Sequence, residues 1–85
     1  MSQTFHAKIN VSLKPGVLDP QGKATLHGLT ALGFETVQGV RVGKSIVLTF
    51  SAPSEEKAKE LVQQMGEKLL ANTVIENFEF EVEKI

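Results

Sequence analysis

The chain has 85 residues, no cysteine, nine basic and ten acidic residues, and a formal net charge of −1. This length predicts one domain over residues 1–85 with a core that is marginal alone, while the charge balance disfavours nucleic acid and anionic membranes as partners. The lack of cysteine excludes disulfides and thiolate chemistry, and without a signal peptide or a membrane-length apolar run we expect a cytoplasmic protein.

The first predicted element is a strand from Phe5 to Leu13. Apolar residues occupy every odd position of this segment, and His6, Lys8, Asn10 and Ser12 occupy the even positions. Strict alternation is typical of a half-buried strand that has one face on the core. We therefore expect His6 to point away from the core.

The next segment, from Lys14 to Gly22, is predicted to turn the chain into a first helix. Asp19 suits the N-cap and Pro20 the first helical position, and Gly33 suits a left-handed residue just after a helix end near Leu32. The helix also carries a strip of small residues that is either a packing seam or a docking face. We expect this strip to face the core of the same domain; its members are Ala24, Gly28 and Ala31.

The middle of the chain, residues 36–50, raises the question of a nucleotide site. Its core, Gly39 to Ser45, reads GxxxGKS, one residue short of the phosphate-binding GxxxxGK[ST] loop. A strand-forming run follows Lys44, whereas a phosphate loop requires a helix there. We therefore predict a bend at Gly43 rather than a nucleotide site, either as a three-residue hairpin loop or within one long bent strand.

The last third of the chain predicts a helix and a strand. Ser54 suits the N-cap, and an apolar stripe at helical spacing follows it. In the final strand apolar residues from Phe78 to Val82 alternate with three glutamates, which we expect to lie opposite Lys8 and Lys14 of the first strand. The helix stripe comprises Ala58, Leu61, Val62, Met65 and Leu69.

The order of elements predicts an α+β fold of ferredoxin-like type. In this two-layer β-α-β(β)-α-β sandwich an antiparallel sheet carries both helices on one face. Edge strands and marginal size favour a dimer that shares sheet or helix surface.

Catalytic machinery is sparse in this sequence. His6 and His27 stand apart from any carboxylate at metal-ligand or nucleophile-base spacing, and Asp19 is accounted for as a cap. Arg41 and Lys44 are the basic pair at an irregular point. We expect no catalytic residue, metal or cofactor on this chain.

Four sequence segments together resemble the PurS family, the small subunits of phosphoribosylformylglycinamidine (FGAM) synthase. They are Leu13-Lys-Pro-Gly-Val-Leu-Asp-Pro-Gln-Gly-Lys-Ala24, Leu32-Gly-Phe34, Val40-Arg-Val-Gly-Lys44 and Leu69-Leu-Ala-Asn-Thr-Val-Ile-Glu76. The resemblance covers nearly the whole chain.

This resemblance implies a non-catalytic subunit of an amidotransferase in purine biosynthesis. A glutaminase subunit, PurQ, releases ammonia, and a synthetase subunit, PurL, uses ATP and Mg to convert formylglycinamide ribonucleotide (FGAR) to FGAM. The small subunit, as a homodimer or a tetramer, holds the two together, and a role in ammonia transfer is open.

Two irregular segments are the candidate contact sites for a partner or a second copy, because loops on a rigid scaffold commonly carry function. The equally weighted alternative is that their glycines only permit tight backbone paths. A further alternative for the whole chain is a dimeric ferredoxin-like regulatory module that binds a small molecule. The candidate contact residues are Pro15, Gly16, Asp19, Gly22, Arg41, Gly43 and Lys44.

Overall fold

A computed structural model describes residues 2–85 as three strands and two helices, a small α+β fold as predicted. The elements in chain order are strand β1 (Gln3–Leu13), helix α1 (Pro20–Ala31), strand β2 (Lys44–Ala52), helix α2 (Glu55–Met65), a π-helical turn (Gly66–Leu70) and strand β3 (Glu76–Lys84).

Strand β1 is the centre of an antiparallel sheet with the order β2-β1-β3. The alternation of β1 divides the sheet as predicted, with Phe5, Ala7 and Ile9 buried and the intervening residues exposed. Ile9 lies between Ile46 of β2 and Phe80 of β3, so the apolar residues of all three strands share one face.

The opposite, outer face of the sheet is polar. Lys8 of β1 lies directly opposite Glu81 of β3, and His6 lies opposite Glu83. The prediction that Lys8 faces the glutamates of the final strand is therefore confirmed. Lys14 lies beyond the end of this ladder, where its N–H donates to the Ile75 carbonyl at 2.8 Å. The prediction that Lys14 faces the glutamates is therefore wrong.

Helix α2 covers the apolar face of the sheet. Ser54 caps it by accepting a hydrogen bond from the Lys57 N–H at 3.1 Å, and the first two helical residues are acidic, as the helix dipole favours. Ala58 and Val62 are fully buried against the sheet. This part of the predicted stripe is confirmed.

The end of the stripe departs from the prediction because the helix widens into a π-turn. The Ala71 N–H donates to the Gly66 carbonyl at 3.0 Å, five residues back, which adds one residue to the turn. Leu70 consequently packs on the core, and Leu69 is 83% exposed. Gly66 is required here because any Cβ would collide with the Phe78 ring.

Helix α1 begins and ends as predicted. Asp19 is its N-cap and Pro20 its first residue. At the other end Gly33 has φ +99°. Its N–H donates to the Thr30 carbonyl at 3.0 Å, and the Phe34 N–H donates to the Leu29 carbonyl at 2.9 Å. These two bonds form the Schellman arrangement that ends many helices.

The prediction that both helices cover the sheet of their own chain is wrong for α1. The only buried residue of α1 is Gly22, and the small-residue strip expected to face the core, Ala24, Gly28 and Ala31, is exposed. Residues 14–43, which we call the arm, instead leave the sheet after β1 and return at β2. The molecule is 55 Å long, and its radius of gyration of 16.7 Å exceeds the roughly 12 Å expected for a compact chain of this length.

The middle stretch forms neither the hairpin nor the long bent strand. Strand β2 begins only at Lys44, and residues 37–43 belong to no ladder within the described range, 2–85. Only the end of this segment approaches the sheet, where Gly43 lies against the Val11 carbonyl of β1. A strand rather than a helix follows Lys44, in agreement with the rejection of a phosphate loop.

Candidate functional site

The base of the arm brings together four of the seven candidate contact residues, Asp19, Gly22, Arg41 and Gly43. The Gly22 N–H donates to Asp19 Oδ1 at 2.8 Å, and the Val42 N–H donates to Asp19 Oδ2, also at 2.8 Å. Asp19 is only 7% exposed. One carboxylate therefore caps α1 and also holds the returning segment against the start of the helix.

Arg41 binds the departing segment from the opposite direction. Its Nη1 donates to the Val17 carbonyl at 3.0 Å, and its Nη2 donates to the Lys14 carbonyl at 3.1 Å and reaches the Leu13 carbonyl at 3.5 Å. A planar guanidinium suits several acceptors held in one orientation. We call Asp19 and Arg41 the clasp, because each ties one segment of the arm's base to the other.

The electrostatics of the clasp favour an ionised carboxylate. Hydrogen bonds from the Val42 and Gly22 N–H groups lower the pKa of Asp19 below its ordinary value of 3.8. Burial opposes them with a smaller effect, and the charge of Arg41 lowers the pKa by less still. The Asp19 carboxylate is therefore ionised at neutral pH.

Two glycines allow the backbones at the base to touch. A Cβ on Gly22 would collide with the Val40 carbonyl oxygen, and one on Gly43 would lie 2.5 Å from the Val11 carbonyl oxygen. This geometry supports the alternative that these glycines permit tight backbone paths. A contact of the same residues with a partner stays a prediction.

The remaining candidates lie around the clasp. Pro15 and Gly16 are exposed in a turn closed by the Val17 N–H and the Lys14 carbonyl at 3.1 Å, and Gly16 takes φ +86°. Lys44 is exposed at the first position of β2, beside a cleft of about 250 Å³ that Asp19 and Glu76 also line.

Sequence reasoning missed an apolar groove on the helix side of the sheet. The groove has a volume of about 400 Å³ and opens between strand β2 and the C-terminal half of α2 with its π-turn. A signal for it in the sequence was Leu70, which directly follows Leu69 of the predicted stripe and makes the apolar surface at the end of the second helix broader than one narrow stripe. The lining residues are Leu48, Leu61, Gln64, Met65, Lys68, Leu69 and Leu70.

Residues 2–85 offer no evident set of metal ligands. No cluster of three or more histidine, cysteine, aspartate or glutamate residues with suitable geometry occurs in that range. His6 is exposed on the outer face of the sheet, and His27 is exposed on α1. In the same residues, every helix is too short or too polar to cross a membrane.

Comparison with known proteins matches nearly the whole chain to one family. The family model for PurS, phosphoribosylformylglycinamidine (FGAM) synthase, matches residues 6–84. The PurS subunit of this synthase from Synechocystis is 50% identical over 82 residues, which cover 96% of this chain and 82% of the relative.

Solved structures agree with this match. PurS of Bacillus subtilis has a TM-score of 0.82 and 49% identity, with 93% of this chain and 98% of that chain covered. A chain of the PurLQS structure from Thermotoga maritima has a TM-score of 0.80 and 36% identity, with 96% and 98% covered. The chain therefore belongs to the PurS family, and it is a subunit of phosphoribosylformylglycinamidine synthase in purine biosynthesis.

Proposed function

We propose that the chain acts as a homodimeric adaptor that joins the glutaminase subunit, PurQ, to the synthetase subunit, PurL, in the cytoplasm. The observation that carries the dimer is that one chain presents both a helix, α1, whose end carries the exposed Leu32 and Phe34, and an uncovered apolar groove. The observation that carries the adaptor role is the similarity to a chain of the PurLQS structure from Thermotoga maritima.

The arm and the groove are complementary in chemistry. Leu32 is 76% exposed and Phe34 56% exposed, and both follow the half-buried Leu26 and Leu29 of α1. Leu48, Leu61 and Leu69 line the groove. In the proposed dimer, α1 of each copy lies beside α2 of the other, so each groove receives an apolar helix face.

The second contact of the proposed dimer is between strands. Strand β2 has β1 on one side only, and its other edge carries unpaired N–H and C=O groups. In the dimer, residues 37–43 of one copy pair with this edge of the other copy. Each sheet then gains a fourth strand and a second helix, which completes the ferredoxin-like layout across two chains.

Burial of exposed apolar surface favours such a dimer. Full burial of one large apolar side chain contributes about 1.5–3 kcal/mol, and Leu32 and Phe34 at the end of α1 are mostly exposed in one chain, at 76% and 56%. The four such side chains of two copies therefore offset part of the association cost of about 4–15 kcal/mol, and paired strand edges add to this.

The proposed adaptor keeps ammonia release close to ammonia use. PurQ hydrolyses glutamine, and PurL binds ATP and Mg and consumes the ammonia to aminate FGAR. A dimer that holds both enzymes raises the local concentration of one at the other. No residue of this chain takes part in the chemical steps of the proposal.

Turnover with two nitrogen sources tests the adaptor role. We expect purified PurL to form FGAM from ammonium salts with or without this chain, because ammonia then arrives from solution. We expect glutamine-dependent formation by PurL and PurQ to require the chain. Equal glutamine-dependent rates with and without the chain would refute the adaptor role and leave the dimer untouched.

A further inference from the structure

The groove has two potential occupants, α1 of the same chain and α1 of a second copy, and covalent connection by itself favours the helix of the same chain. Twelve residues without helix or strand, 32–43, connect α1 to β2. A short flexible connection gives a helix an effective concentration in the millimolar range at a site on the same chain. A second copy at micromolar concentration would lose that competition, so something must keep the arm open.

The clasp joins the two segments from which α1 extends. Asp19 ties the first turn of α1 to the Val42 N–H, and Arg41 ties the returning segment to the carbonyls of Lys14 and Val17. These hydrogen bonds fix residues 14–19 relative to 40–43. Arg41 also reaches the Leu13 carbonyl at the end of β1 at 3.5 Å, so the joined segments are held to the sheet as well, and rotation of α1 onto its own sheet would have to break one set of contacts or the other.

Backbone contacts make the same junction stiff. Gly22 lies against the Val40 carbonyl and Gly43 against the Val11 carbonyl, so the two segments and the end of β1 touch without intervening side chains. Close packing of this kind deforms little. The base of the arm is therefore a fixed joint with hydrogen bonds and backbone contacts on both sides.

We propose that the clasp positions the arm, holding α1 away from the groove of its own chain and presenting it to a second copy. This proposal rests on the dimer proposed above. It assigns Asp19 and Arg41 a role in choosing between a closed monomer and an exchanged dimer. Neither residue needs to touch the partner, because each acts through the direction of the arm.

Distance measurement between two spin labels tests the direction of the arm. The chain has no cysteine, so Thr30→Cys on α1 and Lys59→Cys on the exposed side of α2 give unique labelling positions. Labelled chains diluted in excess unlabelled chains report the distance within one chain. In a closed monomer the axes of α1 and α2 would lie about 8–10 Å apart, as in packed helices.

The variants separate the clasp from helix capping. Asp19→Asn keeps a side-chain oxygen that can cap α1 but removes the second acceptor, and asparagine is as good an N-cap as aspartate. Arg41→Ala removes the ties to residues 13–17, and Arg41→Lys restores the charge without the planar fork. Lys23→Gln and Glu35→Gln are the controls. Each removes a charge from the arm outside the two segments that the clasp joins, 13–22 and 40–43.

We expect one narrow, long distance in the wild type and in both controls. Asp19→Asn and Arg41→Ala should add a shorter distance between the labels and raise the dimer dissociation constant at least about tenfold. Both variants should keep the circular dichroism of a folded sheet. The dissociation constant of Arg41→Lys should lie between those of the wild type and Arg41→Ala. Unchanged distances and dissociation constants in both clasp variants would overturn the proposal while the dimer stands. A wild type that is monomeric at every concentration would overturn the dimer itself.

Discussion

The substitution Leu32→Ala probes the contact between the arm and the groove of a second copy. It removes about three carbon atoms from a side chain that is 76% exposed in one chain, and each buried carbon contributes about 0.8 kcal/mol. Only the exposed 76% of this surface is available for burial by a second copy, and two-fold symmetry doubles the effect, so the dimer should lose roughly 3–4 kcal/mol. We expect the dissociation constant to rise by roughly two to three powers of ten, measured by sedimentation equilibrium.

The control is Val74→Ala, because Val74 is similarly exposed, at 81%, but lies in the turn before β3, at the sheet edge opposite β2, and does not line the groove. We expect its dissociation constant to match that of the wild type. An equal effect of both substitutions would mean a nonspecific apolar association, and no effect of Leu32→Ala would refute the seating of α1 in the groove.

Three further predictions concern the folded chain itself. Gly66→Ala should destabilise it by about 1–3 kcal/mol in urea unfolding, because the new Cβ meets the Phe78 ring, while Glu67→Ala in the same turn should change stability by less than about 0.5 kcal/mol. Lys8→Glu places a like charge opposite Glu81 and should cost about 0.2–1 kcal/mol, which Glu81→Lys in the same chain should restore. Because hydrogen bonds from the Val42 and Gly22 N–H groups lower the pKa of Asp19 in the folded chain, the ionised carboxylate should contribute its full stabilisation of the fold above pH 3.8. This contribution should be lost as the pH falls through the lowered pKa of the folded chain. A profile of unfolding free energy against pH that is identical for Asp19→Asn and the wild type would contradict this.

Local patterns in the sequence were sufficient for the elements that depend on local chemistry. The alternation of β1 placed Phe5, Ala7 and Ile9 in the core, and the caps at Asp19, Gly33 and Ser54 fixed the helix ends. Each of these features is encoded within a few neighbouring residues. The structure follows them closely for that reason.

The position of α1 could not be read from its sequence. An apolar stripe indicates that a helix face will be buried, but not whether the covering surface belongs to the same chain. Leu32 and Phe34 fit either case, and the structure leaves both exposed. The lack of a partner strand for residues 37–43 could not be predicted for the same reason, because strand pairing depends on whether a sheet edge of the same or another chain lies nearby.

The exposed position of Leu69 depends on a contact distant in sequence. Helical spacing places Leu69 on the stripe of α2, but the bulk of Phe78 beside Gly66 accompanies a π-turn that moves Leu70 inward instead. The clasp was partly visible, since Asp19, Gly22, Arg41 and Gly43 were singled out as irregular. That they bind one another required the three-dimensional path of the chain.

Light scattering coupled to size exclusion tests the proposed role most directly. The chain is run alone and then with PurL and PurQ of the same source, in the presence of glutamine and Mg-ADP. We predict a mass of two chains alone, and one larger species that contains all three subunits and is absent when the chain is omitted. A dimer that elutes apart from both enzymes, or a PurL–PurQ species that forms equally well without the chain, would contradict the adaptor role.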